Sequence, residues 1–131
     1  MNKEIIEFNN KYSGENKKIC DLLAKEIDQA LSKYKAESKI WHGAPVWFLD
    51  GNPVAGYDVL KSSVRLLFWS GRSFDEDGLN NEGSFKAAEA RYTEVSQVNL
   101  EDLQRWVEKS EKIQWDYKNI VKRRGELIRI K

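Results

Sequence analysis

One histidine, one cysteine and two prolines stand in a chain of 131 residues, and each scarcity removes a class of chemistry. With His42 alone, no site built on two imidazoles can form, which excludes the common zinc and di-iron arrangements. Cys20 has no disulfide partner within the chain, and the amino-terminal MNKEIIEFNNKY lacks the apolar run of a signal peptide, so the cytoplasm is the expected compartment. No stretch approaches the roughly 18 consecutive apolar residues of a membrane-spanning helix. A charge excess is missing too. Lys plus Arg number 22 against 21 for Asp plus Glu, and this balance gives no general reason to bind nucleic acid or acidic lipid. The phosphate-binding glycine loops, the G-x-S-x-G elbow and the H-E-x-x-H zinc motif are all absent, so no catalytic residue is assigned.

What is present describes a folded domain. Apolar residues make up 40% of the chain and charged residues 33%, far from the composition of disorder. The length fits one domain over residues 1–131, with 1–12 expected as a lead-in holding a short amphipathic piece at Ile5, Ile6 and Phe8, and 126–131 as a tail. Ile19, Leu22, Leu23, Ile27, Ala30, Leu31 and Tyr34 recur at three- and four-residue steps, which predicts a helix from Gly14 to Tyr34 with Ser13 or Asn16 as N-cap. The period then changes to that of strands at 40–42, 46–49, 54–60, 64–69 and 85–93. Asp50-Gly51-Asn52-Pro53 supplies a hairpin turn, and Ser70–Ser84 is read as a long loop. Asn99 opens a closing helix whose apolar set runs from Leu100 to Val121 and which stops at Gly125. Trp115 falls off its main face, so either the helix breaks near Ser110 or this ring is exposed for contact. The short connections imply an antiparallel meander. The expected architecture is α+β: five antiparallel strands with an N-terminal and a C-terminal helix packed on one face.

The stretch IWHGAPVWFLDGNPVAGYDVLKSSVRLLFW, Ile40 to Trp69, resembles the bacterial YdhG-like family, with Trp41, Gly43, Pro45 and Lys61 at the places of its hairpin entry and Lys-bearing turn. The resemblance implies a frataxin-like arrangement of helix, sheet and helix, and a non-enzymatic intracellular carrier, since some members are described as iron chaperones. It also implies an acidic ridge on the first helix as the iron site. Here Asp21 and Asp28 alternate with Lys25, and many members carry a histidine where this chain has Ser63.

Four groups of residues are candidates for chemistry. Cys20 and His42 would make a thiol pair if the fold joined them. Asp75-Glu76-Asp77-Gly78 offers carboxylates to a hard cation but lacks the spacing of a calcium loop. Lys118, Lys122, Arg123, Arg124, Arg129 and Lys131 outnumber Asp116 and Glu126 near the carboxyl end, a patch that suits either phosphates or a helix terminus. The fourth group is Trp41, His42, Trp47, Tyr57, Lys61, Trp69 and Arg72. Aromatic walls with a few convergent polar groups are the make-up of a small-ligand pocket, and Lys61 and Arg72 would favour an anionic or aromatic ligand. The alternative is that these tryptophans are core and the cations merely fringe it.

Overall fold

The helical layer follows from apolar stripes that a sheet can cover. The computed structural model describes Met1–Lys131 and contains three helices, α1 (Lys3–Asn10), α2 (Gly14–Leu31) and α3 (Leu100–Lys112). The lead-in is therefore helical. Asn2 caps α1 by accepting from the Glu4 amide at 2.8 Å, and its amide donates to the Ser38 carbonyl at 2.8 Å, which ties this helix to the sheet. Ile5 and Phe8 are buried on it. Ser13 occupies the N-cap position of α2 without a side-chain bond, and a single 3-10 turn at Ser32–Tyr34 continues past Leu31. Asn99 caps α3 by accepting from the Asp102 amide.

Six strands form one antiparallel sheet: β1 (Glu37–Trp41), β2 (Ala44–Leu49), β3 (Asn52–Val59), β4 (Val64–Phe68), β5 (Asn80–Asn81) and β6 (Ala88–Tyr92), in spatial order β1-β2-β3-β4-β6-β5. The sixth strand, β5, is two residues long and lies inside the stretch expected to be a plain loop. It pairs with β6 through Asn80–Glu89 and Asn81–Ala88. The Asp50-Gly51 turn has φ of 50° and 79° and joins Leu49 to its partner Asn52, the two-residue connection whose twist suits a hairpin. His42-Gly43 does the same between Trp41 and Ala44, with φ of 51° and 81°. His42 is thus a turn residue, not the end of a strand.

All three helices share one core with the sheet. Leu23, Ile27, Leu103 and Val107 are fully buried as the periodicity requires, in one cluster with Trp47, Tyr57, Val64, Leu66 and Phe68. A β-bulge opposite Trp47/Phe48, where β3 carries one extra residue, puts the consecutive Val54 and Ala55 both into that cluster. Along β4, Val64, Leu66 and Phe68 face the helices, so Arg65, Leu67 and the following Trp69 face away.

The closing helix ends at Lys112, well short of the expected stop at Gly125. Ile113 turns extended (φ −127°, ψ 109°), and residues 114–116 then pair with 128–131, Asp116 donating its amide to the Ile128 carbonyl at 2.8 Å and Ile130 to Gln114 at 2.9 Å. Trp115 marks the break. Its amide donates to Ser70 Oγ at 2.9 Å and its Nε1 to Ser73 Oγ at 3.0 Å, holding the terminal segment against the turn after β4.

Candidate functional site

The face turned away from the helices is built by strand alternation and by one glycine. Across the sheet the register sets Val46 beside Gly56 and Gly56 beside Leu67. A Cβ at Gly56 would lie 2.5 Å from the Pro45 carbonyl oxygen and 3.3 Å from the Trp69 ring. Only the absent side chain lets that indole approach the backbone so closely. Trp41 stands at the end of β1, its ring centroid 6.3 Å from that of Trp69, 5.4 Å from Phe48 and 4.3 Å from His42.

Between these rings lies a half-open cavity of about 170 Å³, lined by Trp41, His42, Ala44, Pro45, Val46, Leu67 and Trp69, with Asp58 and Arg65 as its charged wall. A dry cavity of about 150 Å³ holds a benzene ring, so this one is sized for a single ring or a group of similar bulk. Arg65 donates to both oxygens of Asp58, from Nε at 3.0 Å and Nη2 at 2.7 Å, and its Nη1 lies 3.7 Å from Glu82 and 3.9 Å from Glu89. Asp58 and the two glutamates hold this guanidinium firmly protonated, its pKa raised chiefly by the Asp58 bonds. Glu89, almost wholly buried, also accepts from Arg91. Two guanidiniums are thus shared among three carboxylates.

The seven residues expected at a pocket divide between two faces. Trp41, His42 and Trp69 line the cavity. Tyr57 borders it from β3, but its ring packs against Phe8 and Trp47 on the helix side and its hydroxyl donates to Asn9 Oδ1 at 2.5 Å. Trp47 is not a wall: it is fully buried in the helix-side core, where its Nε1 donates to Asp28 at 3.1 Å. Lys61 is exposed in the turn between β3 and β4 and does not line the cavity. Nor does Arg72, which donates from Nη2 to the Glu82 and Gly83 carbonyls in a loop beyond β5. The polar groups that do reach the cavity, Asp58 and Arg65, pair across β3 and β4. Their signal in the sequence is opposite charges on alternating strands whose other residues are apolar.

The remaining candidates carry structural duties. Cys20 is fully buried, and desolvation, helped by Asp21, pushes its thiol up to about 12, so it pairs with no exposed His42. In the acidic loop, Glu76 accepts from Arg105 at 2.7 and 2.8 Å, from Lys109 at 2.6 Å and from Trp106 Nε1 at 2.8 Å, which fastens the loop to α3. The Arg105 bonds, seconded by Lys109 and Trp106, hold its carboxyl far below the usual range against the opposing effect of burial. Asp21 bonds Lys17 and Asn9, and no group of three His, Cys, Asp or Glu side chains is gathered for a metal. At the basic end, Arg123 pairs with Asp116 at 2.6 Å, Lys131 with Glu111 at 2.5 Å, and Lys118 donates to the Asp50 carbonyl. A second cavity of about 270 Å³ beside Asn52, Gln114 and Lys118 is lined mainly by residues of polar type. Asn52 there already donates to Gln114 and accepts from the Lys118 amide.

No helix is long and apolar enough to cross a membrane. Comparison with family models, with curated proteins and with solved structures gives no match for the chain.

Proposed function

We propose that this protein is a non-enzymatic binding or carrier protein that takes a ring-sized group of a small molecule into the cavity between Trp41 and Trp69. The observation that carries this reading is the cavity itself: an apolar hollow of about 170 Å³ with two indoles and one ion pair on a sheet face that the helices leave uncovered. Its chemistry is that of binding. The one ion pair at its edge is mutually bonded, and neither a nucleophile with an adjacent base nor a gathered metal set stands beside it. The YdhG-like resemblance of Ile40–Trp69, with its frataxin-like carriers, supports the carrier class. The bonds of Asp21 and Asp28 to Lys17 and Trp47 weigh against iron as the cargo, because both carboxylates are already engaged.

A thermal-shift screen of single-ring compounds, with ferrous iron included under anaerobic conditions, tests this on the wild-type chain and on Trp41→Ala. Ring compounds should stabilise the wild type by mass action, about 2.7 kcal/mol at a hundredfold excess over Kd, and the variant much less. Stabilisation by iron alone, equal in both proteins, would sink the proposal.

A further inference from the structure

Resting on that reading, we infer that the cavity between Trp41 and Trp69 selects a cationic group, an amine or quaternary ammonium, in preference to a neutral or anionic one. Three observations bear on the sign of the ligand. The wall offers indole faces, whose negative quadrupole attracts ammonium groups and is the usual means of recognising quaternary ones. The ion-pair cluster that borders the cavity through Asp58 and Arg65 holds three carboxylates, Asp58, Glu82 and Glu89, against the guanidiniums of Arg65 and Arg91, and each guanidinium is already engaged by at least one carboxylate. An incoming anion would therefore meet an Arg65 whose Nε and Nη2 already donate to Asp58 and whose Nη1 faces Glu82 and Glu89. A cation needs only the unused lone pairs of a carboxylate that accepts two bonds and has room for more. The third observation is a precedent inside the chain: Lys39, with its head exposed, holds its ammonium 5.0 Å from the centroid of Phe48, the ring that packs edge-on against Trp41. The aromatic cluster thus already accommodates one ammonium on a neighbouring face.

Lys61 and Arg72, the cations that would have favoured an anion, contribute nothing to the cavity wall, as described above. The local balance is set by Asp58, Arg65, Glu89 and Arg91 on β3, β4 and β6 together with Glu82 from the loop after β5, three carboxylates against two guanidiniums.

Three probes of matched ring size separate the outcomes: benzyltrimethylammonium, benzyl alcohol and benzoate, titrated into uniformly ¹⁵N-labelled protein while the indole N–H signals of Trp41 and Trp69 are followed. Trp→Phe variants assign those signals. The cation should bind about tenfold more tightly than the alcohol, with a preference that weakens as salt is added, and benzoate should bind least. Asp58→Asn keeps the shape, removes one carboxylate and frees Arg65, so it should reverse the order of cation and benzoate. Equal binding of all three probes, or benzoate tightest in the wild type, overturns the charge selectivity and leaves the cavity as a binding site. Absence of any indole shift with all three probes at tens of millimolar overturns the cavity as a binding site as well. Retention of the cation preference in a folded Asp58→Asn also overturns the role given to the carboxylates.

Discussion

The two faces of the sheet use the same residue types to opposite ends. On the helix side, Trp47, Tyr57, Phe68 and Trp106 are buried among the helices, and their polar atoms are bonded: Trp47 to Asp28, Tyr57 to Asn9, Trp106 to Glu76. On the other side, Trp41 and Trp69 remain half-buried, with a hollow between them and an ion pair at its edge. A tryptophan whose N–H is satisfied beneath a helix is committed to stability. One that leans on a glycine in an uncovered sheet has surface to offer. Counting aromatics does not tell these apart, whereas the parity of each residue along its strand does.

The contrast breaks most visibly in the core. Leu23→Ala or Leu103→Ala should cost about 2 to 5 kcal/mol, because both side chains are fully buried between helix and sheet. Trp41→Ala, at the end of the edge strand, should cost clearly less in urea unfolding while abolishing ring binding. Equal losses at all three positions would show that the uncovered face is as much a part of the core as the covered one.

An intermediate effect is expected at Glu76. Replacing it with Gln leaves Arg105 and Lys109 without their carboxylate and should cost about 1 to 3 kcal/mol at neutral pH. Because the folded carboxyl titrates below its ordinary value of 4.5, its contribution is complete above that pH and is lost as the pH falls beneath it. The wild type should therefore lose stability on acidification from pH 5 toward the bottom of the carboxylate range more steeply than Glu76→Gln. Parallel pH profiles of the two melting temperatures would contradict the assignment. The smallest effect sharpens the map of the cavity: Lys61→Met, on an exposed turn, should change stability by under about 0.5 kcal/mol and ring binding not at all. A marked loss of binding would bring Lys61 back into the site.

The helix–sheet layers are legible in the sequence because α2 and the first part of α3 carry an unbroken three-four spacing, and Ile19, Leu23, Ile27, Leu103 and Val107 all land in the core. The end of α3 is harder to read. Ile113, Ile120 and Val121 continue a helical spacing, but Trp115 and Gln114 are bound by Ser70, Ser73 and Asn52 from distant parts of the chain, and those tertiary bonds override the local pattern. β5 is too short to leave any periodic trace. At the site, His42-Gly43 carries the same left-handed turn chemistry as Asp50-Gly51. Once that turn is placed, counting from Ala44 sets Val46 on the face of Trp41 and Trp47 on the opposite one. Lys61 and Arg72 lie near Trp69 in sequence, yet proximity along a hairpin is not proximity across a sheet. The residues that supply the charged wall, Asp58 and Arg65, are seven apart and meet only because β3 and β4 pair in register.

Gly56 ties the fate of the cavity to that of the sheet. Any side chain there would strike the Pro45 carbonyl oxygen, which is backbone and cannot swing aside, as well as the indole that forms one wall. The hollow therefore cannot be closed gradually by small substitutions at this point, as a cavity ringed by flexible side chains can. For a lineage carrying this fold, position 56 acts as an all-or-none determinant: glycine is compatible with both the strand pairing and the hollow, and a side chain there disturbs both at once.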